Sequence, residues 1–288
     1  MVYNNGYTST NCRLRHIGLN RELVYIASIS SYRISRLATK INRLVREWPP
    51  GTVATQSWLR SHGVDRKLAH RYVQAGWLER VGSGAYSRAG DNVSWRGAIY
   101  ALQRHAPLSA WPGGATALAL HGFGQYLEFG RETLWLWCQP KYRLPSWFRH
   151  YDWAVDTRVR QSTLFTSHRF PWPLYHQENF SIVISPPERA AFEVVYEVSD
   201  GSSFEWAAEL VQGLVNLRPG PMQQSFEACN SIRVKRILLF LGSYYRLPWF
   251  DRLDHSRIAL GKGKRQVVKG GRLDSQFQIT VPGAFASG

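Results

Sequence analysis

The segment that decides the fold is residues 55–88, with the sequence TQSWLRSHGVDRKLAHRYVQAGWLERVGSGAYSR. It opens with Thr55, a residue type that caps helices, followed by a short helical pattern over residues 56–62. A second helix is predicted to begin after Asp65, and Gly76 predicts that it ends in a left-handed turn. Two short helices joined by a tight turn are typical of a helix-turn-helix.

A short hairpin is predicted directly after the second helix. Polar and apolar residues alternate over residues 77–81, a glycine-rich turn follows at 82–84, and the chain returns over residues 85–88. A hairpin in this place is the wing of a winged helix-turn-helix. The whole segment therefore predicts a module that binds duplex DNA.

The apolar spacing of the second helix leaves one basic face. Ala69, Tyr72 and Val73 recur at intervals of three and four residues, and these intervals predict the buried stripe of the helix. Side chains on the opposite face can bond phosphates or the edges of guanine and adenine. With the start of the first helix and the wing included, the predicted DNA-contacting residues are Gln56, Arg66, Lys67, His70, Arg71, Gln74, Arg80, Ser83 and Arg88.

The positive charge of the chain is concentrated at its two ends. The 288 residues carry a net charge of +16, which indicates a polyanionic partner. Residues 1–90 hold 14 Lys and Arg against 4 Asp and Glu, residues 91–228 hold 11 against 13, and residues 229–272 hold 11 against 2. An ordinary solvated basic face is the alternative to DNA binding. The succession of cap, turn, basic helix, glycine and basic wing favours DNA.

The remaining pattern predicts an α+β chain with a winged helix-turn-helix followed by a larger mixed α/β domain that ends in a helical cluster. We expect an arm or extension over residues 1–34, the DNA-binding domain over 35–90 and the second domain over 91–288. Predicted helices outside the winged segment span residues 34–45, 91–105, 115–120, 185–198, 204–216, 222–229 and 234–245. Predicted strands span residues 133–138, 153–155, 164–166, 180–184, 266–268 and 277–281.

No motif of an enzyme is present in the sequence. The three cysteines are isolated, which argues against a zinc site or a disulfide framework, and the glycines near Lys262 lack the spacing of a phosphate-binding loop. A capping box at Ser185 and Glu188 accounts for that glutamate. We therefore expect no catalytic residue, no metal and no cofactor. No membrane span or secretory signal is visible, and a cytoplasmic, nucleoid-associated bacterial protein is expected.

Several further strings occur in the order that is typical of one family. They are REWPPGTV at residues 46–53, GGATAL at 113–118, SPPERA at 185–190, VKR at 234–236, KGGRLD at 269–274 and QITVP at 278–282. On these strings, residues 36–282 resemble the AbiE-type (AbiEi) antitoxins, which are the autorepressor halves of abortive-infection toxin–antitoxin systems that act in phage defence. Only the N-terminal arm lies outside the resemblance.

The resemblance implies two activities. The winged domain would bind inverted repeats in the promoter of its own operon, as a monomer that binds cooperatively, and repress that operon. The second domain would neutralise a nucleotidyltransferase-like toxin. Neutralisation in this family does not always require a stable complex, so direct contact with the toxin stays open. The runner-up is a plain winged-helix transcription factor whose second domain senses a ligand or dimerises, and a nuclease with a winged targeting domain ranks third.

The second basic region admits several interpretations. Its side chains could contact phosphates, an acidic toxin surface or the nucleic-acid substrate of the toxin, or they could be ordinary solvated charge. Since the resemblance assigns neutralisation to this half, we predict a toxin-neutralising role for Arg233, Lys235, Arg236, Lys262, Lys264, Arg265, Lys269 and Arg272.

Overall fold

The winged helix-turn-helix expected from the sequence is present in the computed structural model, which describes residues 40–123, 131–165 and 171–285. Residues 40–47 form helix α1, so the predicted arm and the start of this helix lie outside the described residues. The module itself consists of β1 (Ala54–Thr55), α2 (Gln56–Ser61), α3 (Arg66–Gln74), β2 (Leu78–Gly82) and β3 (Ala85–Arg88). Its three strands are antiparallel, in the order β1-β3-β2.

Local capping explains where α2 and α3 begin and end. The Thr55 hydroxyl accepts a hydrogen bond from the Trp58 N–H (3.3 Å), and the Asp65 carboxylate accepts one from the Leu68 N–H (2.7 Å). Gly76 has a φ of +70°, a left-handed conformation that glycine adopts without steric cost. The N–H groups of Gly76 and the next residue bond carbonyls of the last turn of α3, at 3.1 and 2.9 Å. The predicted caps and stop are confirmed.

The rest of the chain is the expected mixture of helices and short strands. Helices are α4 (Trp95–His105), α5 (Gly114–Leu120), α6 (Ser146–His150), α7 (Pro187–Tyr196), α8 (Gly201–Gln212), α9 (Pro219–Ala228) and α10 (Ile232–Tyr244). Strands are β4 (Ala110–Pro112), β5 (Thr133–Cys138), β6 (Asp156–Gln161), β7 (Leu174–His176), β8 (Ser181–Val183), β9 (Arg272–Asp274) and β10 (Ile279–Val281). The helical cluster α7–α10 precedes the last hairpin.

A three-stranded sheet in the order β4-β5-β6 separates two hydrophobic cores. Strand β5 runs antiparallel to β4 and parallel to β6. Successive side chains of a strand point to opposite faces. Leu134 and Leu136 therefore enter one core with α4 and α6, whereas Trp137 enters the other with α7, α8, α9 and α10. The strands β7 and β8, and β9 and β10, form two separate antiparallel pairs.

The core behind the wing continues past residue 90. Val81 and Ala85 of the wing pack in the same cluster as Ile99 of α4 and Trp147 of α6. At Gly82 a Cβ atom would lie 2.7 Å from the Trp147 Cβ, closer than real side chains approach, so only glycine lets the wing lie against α6 here. This apolar cluster therefore extends across residue 90, and the domain boundary predicted there stays a prediction.

Two predicted strands are replaced by other structure. Residues 153–155 do not form a strand, because Trp153 turns inward and its indole N–H donates to the Phe148 carbonyl (2.8 Å). Residues 266–268 do not pair as a ladder, because the N–H groups of Val267 and Val268 donate to the Thr280 hydroxyl instead (2.9 and 3.0 Å). At residues 164–166 the described part shows only an isolated bridge, from Phe165.

The predicted capping box at the start of α7 is wrong. The N-cap is Pro186, and the Ser185 hydroxyl donates instead to the Glu193 carboxylate (2.7 Å). Glu188 is buried and accepts hydrogen bonds from the Arg218 guanidinium at 2.8 and 3.2 Å. Proline fits the first turn of a helix without a side-chain cap, since its missing N–H would have had no helical partner there.

A buried carboxylate ties the sheet to the helical cluster. Glu193 of α7 has no exposed surface, and it accepts hydrogen bonds from the Arg189 guanidinium (2.8 Å), the Gly114 N–H (2.9 Å) and the Trp111 indole (3.4 Å), besides the Ser185 hydroxyl. The Arg189 guanidinium lies 5.1 Å from the centroid of the Trp111 ring. A buried charge is tolerated only when it is paired and hydrogen-bonded, and both conditions hold here.

Replacing Glu193 with Ala is expected to lower the free energy of unfolding by about 3–5 kcal/mol, because Arg189 is left buried without its partner. Urea denaturation of the full chain measures this change. The matched control is Glu205→Ala on the exposed face of α8, which should stay within about 0.5 kcal/mol of the parent. A loss below about 1 kcal/mol for Glu193→Ala would show that this carboxylate is not central to the fold.

Candidate nucleic-acid interface

Helix α3 presents a continuous polar and basic face to solvent. All five side chains predicted for it are exposed: Arg66, Lys67, His70, Arg71 and Gln74. Within the described ranges, none of the three cations on this face is held in an ion pair. A helix of this kind can place several donors on one groove of a duplex at the same time.

The buried stripe of α3 differs slightly from the prediction. Leu68, Ala69 and Tyr72 are buried, whereas Val73 is only half-buried. Burial raises the pKa of the Tyr72 phenol above its ordinary value, so this side chain serves the core. The stripe turns the basic face outward.

The wing adds a second exposed group beside α3. Arg80 and Ser83 are exposed, and Gly84 at the tip has a φ of +71°. The Gly84 carbonyl accepts a hydrogen bond from the Gln56 N–H at 2.7 Å, which connects the wing tip to the start of α2. The wing is therefore held at a defined place next to the two helices.

Arg88 is less available than the prediction assumed. Its side chain is only 15% exposed and pairs with Asp91 at 3.1 Å, and Asp91 also accepts a hydrogen bond from the Gly51 N–H (2.8 Å). This arrangement closes the base of the wing. We therefore assign Arg88 to the support of the interface and not to its surface.

Gln56 also lies behind the interface. It is 8% exposed, its amide nitrogen donates to the Val64 carbonyl (3.1 Å), and its amide oxygen accepts from the Tyr86 hydroxyl (3.3 Å). The two-residue strand β1 pairs with β3 immediately before Gln56, the first residue of α2. No local sequence pattern predicts this pairing. The expected DNA contact from this side chain does not fit its position.

Sequence reasoning missed two side chains on α2. Ser57 and Arg60 are exposed on this helix, each directly after a buried residue, Gln56 and Leu59. Helical periodicity around the buried pair could have found them. Arg60 adds a cation in the last turn of α2, at the end that leads towards α3.

Three of the eight residues predicted for neutralisation donate hydrogen bonds to carbonyls that are distant in the sequence. Lys235 and Arg236 are buried, and the Arg236 guanidinium donates to the carbonyls of Leu260 (2.8 Å) and Gly263 (2.6 Å), among others. The Lys235 ammonium donates to the Ala259 carbonyl (3.0 Å). Arg233 is half-buried and donates to carbonyls at the end of α7. Loss of solvation lowers the pKa of Arg236. Lys235 and Arg236 therefore bind the C-terminal segment to α10, and Arg233 binds α10 to the end of α7.

The other five lie at or near the surface. Lys262, Lys264, Lys269 and Arg272 are exposed, and Arg265 is half-buried beside its bridge to Ile279. Lys262, Lys264, Arg265 and Lys269 lie in the segment between α10 and the last hairpin, and Arg272 is the first residue of β9. Arg236 of α10 donates hydrogen bonds to the Gly261 and Gly263 carbonyls of this segment. An exposed group of cations therefore remains as the candidate for the second role.

The described part of the chain offers little for metal or thiol chemistry. It contains no group of three or more His, Cys, Asp or Glu side chains placed to hold a metal ion. Cys138 and Cys229 are buried free thiols, and burial raises their pKa to about 12 and about 11, so neither is activated as a nucleophile. None of the helices in the described ranges has the length and apolar character needed to cross a membrane.

Comparison with known sequences matches the chain to one family along most of its length. A sequence model described as "Transcriptional regulator, AbiEi antitoxin N-terminal domain" matches residues 37–129, and one described as "Transcriptional regulator, AbiEi antitoxin, Type IV TA system" matches residues 131–282. No match was found among curated proteins.

A solved structure has a similar fold. It is titled "Crystal structure of RV2827C protein from Mycobacterium tuberculosis" and superposes with a TM-score of 0.54. The two sequences are 15% identical, and the match covers 85% of this chain and 91% of that one. At this level of identity the likeness concerns the fold alone.

The buried position of Gln56 separates its role from that of Arg66. Gln56→Ala should lower the free energy of unfolding by about 1–3 kcal/mol, because the Val64 carbonyl and the Tyr86 hydroxyl lose their buried partner. Arg66→Ala should leave stability within about 0.5 kcal/mol, since Arg66 is exposed. Thermal and urea unfolding of both variants measure the difference. Equal stability of the two variants would contradict the structural role of Gln56.

Proposed function

Since the chain belongs to the AbiEi family of antitoxin transcriptional regulators of type IV toxin–antitoxin systems, we propose that it represses its own operon and neutralises a partner toxin. Repression takes place through promoter DNA, at inverted repeats that monomers occupy cooperatively. Neutralisation of a nucleotidyltransferase-like toxin belongs to the second half of the chain. A protein with these two activities acts in the bacterial cytoplasm, where it is bound to its operator during repression.

The observation that carries the DNA proposal is the exposed face of α3. Arg66 and Arg71 can each donate two hydrogen bonds to guanine, and Gln74 can pair with adenine in the same way. Lys67 and His70 lie on the same face and suit phosphates. Helix α3 is therefore the proposed reader in the major groove.

The wing and α2 supply contacts that position the helix. Arg80 and Ser83 on the wing, with Ser57 and Arg60 on α2, are exposed on either side of α3 in the chain and can bond the phosphate backbone. Backbone contacts fix register and orientation but carry no sequence information of their own. Gln56 and Arg88 do not contact DNA in this proposal; their hydrogen bonds to Val64 and Asp91 stabilise the winged module.

Neutralisation is assigned to the exposed cations of the C-terminal segment. Lys262, Lys264, Lys269 and Arg272 project from a stretch that Arg236 fixes to α10 through backbone carbonyls. A fixed group of cations complements an acidic protein surface, and complementary charge speeds the encounter and sets specificity. We place the toxin, and not the promoter, on this surface.

Substitutions on α3 should separate reading from positioning. At least one of Arg66→Ala, Arg71→Ala and Gln74→Ala should cost about 1–3 kcal/mol on the promoter and less on random duplex, because base contacts exist only at the specific site. Arg80→Ala should weaken both DNAs alike and reduce the slope of log affinity against log salt by about 0.9, which is one phosphate.

Titrations on promoter and random duplex at several salt concentrations provide the measurement. The control is Arg252→Gln, an exposed arginine outside the winged module. Wild-type protein that binds both DNAs equally at every salt concentration would refute sequence-specific binding. Equal losses on both DNAs for all three helix variants would make α3 a phosphate clamp.

Charge reversal should identify the neutralising surface. Lys262→Glu combined with Lys264→Glu is expected to abolish rescue of cells that express the cognate toxin, since two attractive charges become repulsive. The matched control reverses Arg143 and Arg252, which are also exposed but lie elsewhere. A growth assay with the protein expressed from an inducible promoter keeps rescue independent of repression. Full rescue by the lysine variant would leave these residues as ordinary solvated charge.

A further inference from the structure

A cavity of about 450 Å³ opens on the face of the sheet that carries Trp135. Its floor is formed by β5 and β6, and its walls by the end of α7 and the first turns of α8. The cavity belongs neither to the winged module nor to the exposed cations of the C-terminal segment. Its volume lies within the range of small-molecule sites, about 300–1,000 Å³.

Aromatic rings form one side of this cavity. Trp135 of β5 and Trp206 of α8 are stacked, with ring centroids 5.6 Å apart and an angle of 27° between the planes. Both rings line the cavity; Trp135 is almost fully buried, whereas Trp206 is half-buried. The Trp206 indole thus offers a flat apolar surface to an incoming planar group.

The cations of the cavity come from strand β6. Arg158 is the direct partner of Trp135 in the parallel register, so both side chains leave the sheet on the same face, and Arg160 follows two residues later on that face. The Arg158 guanidinium lies 5.1 Å from the centroid of the Trp135 ring. Contact with the ring holds this guanidinium at the cavity.

Only one of the two arginines is neutralised. Arg160 donates to both oxygens of Glu197 at 2.6–2.8 Å, a bidentate pair that raises the pKa of Arg160. Arg158 is exposed and forms no ion pair within the described ranges. The nearby Asp200 carboxylate is used to cap α8 through the Ser203 N–H (2.8 Å). The cavity therefore retains one available positive charge.

We propose that this cavity binds a nucleotide, with the phosphate on Arg158 and the Ser202 hydroxyl and the base against Trp206. A guanidinium is well suited to a phosphate, and an indole face is well suited to a nucleobase, which stacks without regard to its identity. A free nucleotide and the 5′ end of a nucleic-acid strand carry the same two groups. The site is independent of DNA binding by α3 and the wing.

Calorimetric titration of the full chain with AMP, inorganic phosphate and adenosine tests this assignment. AMP should bind saturably at one site, at least tenfold more tightly than either of its parts. Arg158→Gln should weaken AMP binding by about tenfold or more, because a hydrogen bond to a charged group is lost. Trp206→Leu should weaken AMP and adenosine but leave phosphate unchanged. The control Arg252→Gln should bind AMP like the parent.

The two sources of nucleotide are separated by a 5′-phosphorylated trinucleotide. Tighter binding of the trinucleotide than of AMP identifies a strand end, and weaker binding identifies the free nucleotide. Circular dichroism and promoter binding by each variant verify that it is folded. The absence of saturable binding by AMP, GMP, CMP and UMP would overturn the proposal. Binding that is unchanged in both Arg158→Gln and Trp206→Leu would also overturn it.

Discussion

The buried carboxylate of Glu193 is the constraint on which the rest of the structure depends. Four groups donate to it: the Trp111 indole of β4, the Gly114 N–H at the start of α5, the Ser185 hydroxyl two residues before α7, and the Arg189 guanidinium of α7. The sheet and the helical cluster therefore cannot separate without leaving a charge unpaired. Features that lie on the sheet therefore have a fixed position relative to the helical cluster. The cavity beside Trp135 is one such feature, because its floor is β5 and β6 and its walls are the end of α7 and the start of α8.

Strand β5 contributes to both hydrophobic cores, because its successive side chains point to opposite faces of the sheet. Leu134 and Leu136 pack in the core that also contains Val81 of the wing, whereas Trp135 and Trp137 face the helical cluster. One strand therefore contributes to the support of the candidate DNA-binding surface on one face and to the candidate cavity on the other. A displacement of β5 would alter both the candidate DNA-binding surface and the candidate cavity, since packed cores transmit strain.

The sequence predicts those parts of the fold that depend on residues close to one another in the chain. Thr55, Asp65 and Gly76 act within a few residues of themselves, so the winged module and the exposed face of α3 followed directly from the chain. The burial of Gln56 and Arg236 depends on partners that are distant in the sequence or on short strand pairing, which no periodicity reveals. The same holds for the cavity, whose tryptophans and arginines converge from separate strands and helices.

The close approach of Gly82 to Trp147 has a thermodynamic consequence for the proposed association with DNA. A wing that is free to move would lose conformational entropy when a duplex arrested it, and that loss would oppose binding. Here the hairpin is already immobilised against α6 and bonded to α2 through the Gly84 carbonyl, so the entropy is lost during folding. For a duplex that binds as proposed, the spacing between helix and hairpin is set in advance, and binding requires no rearrangement of the wing.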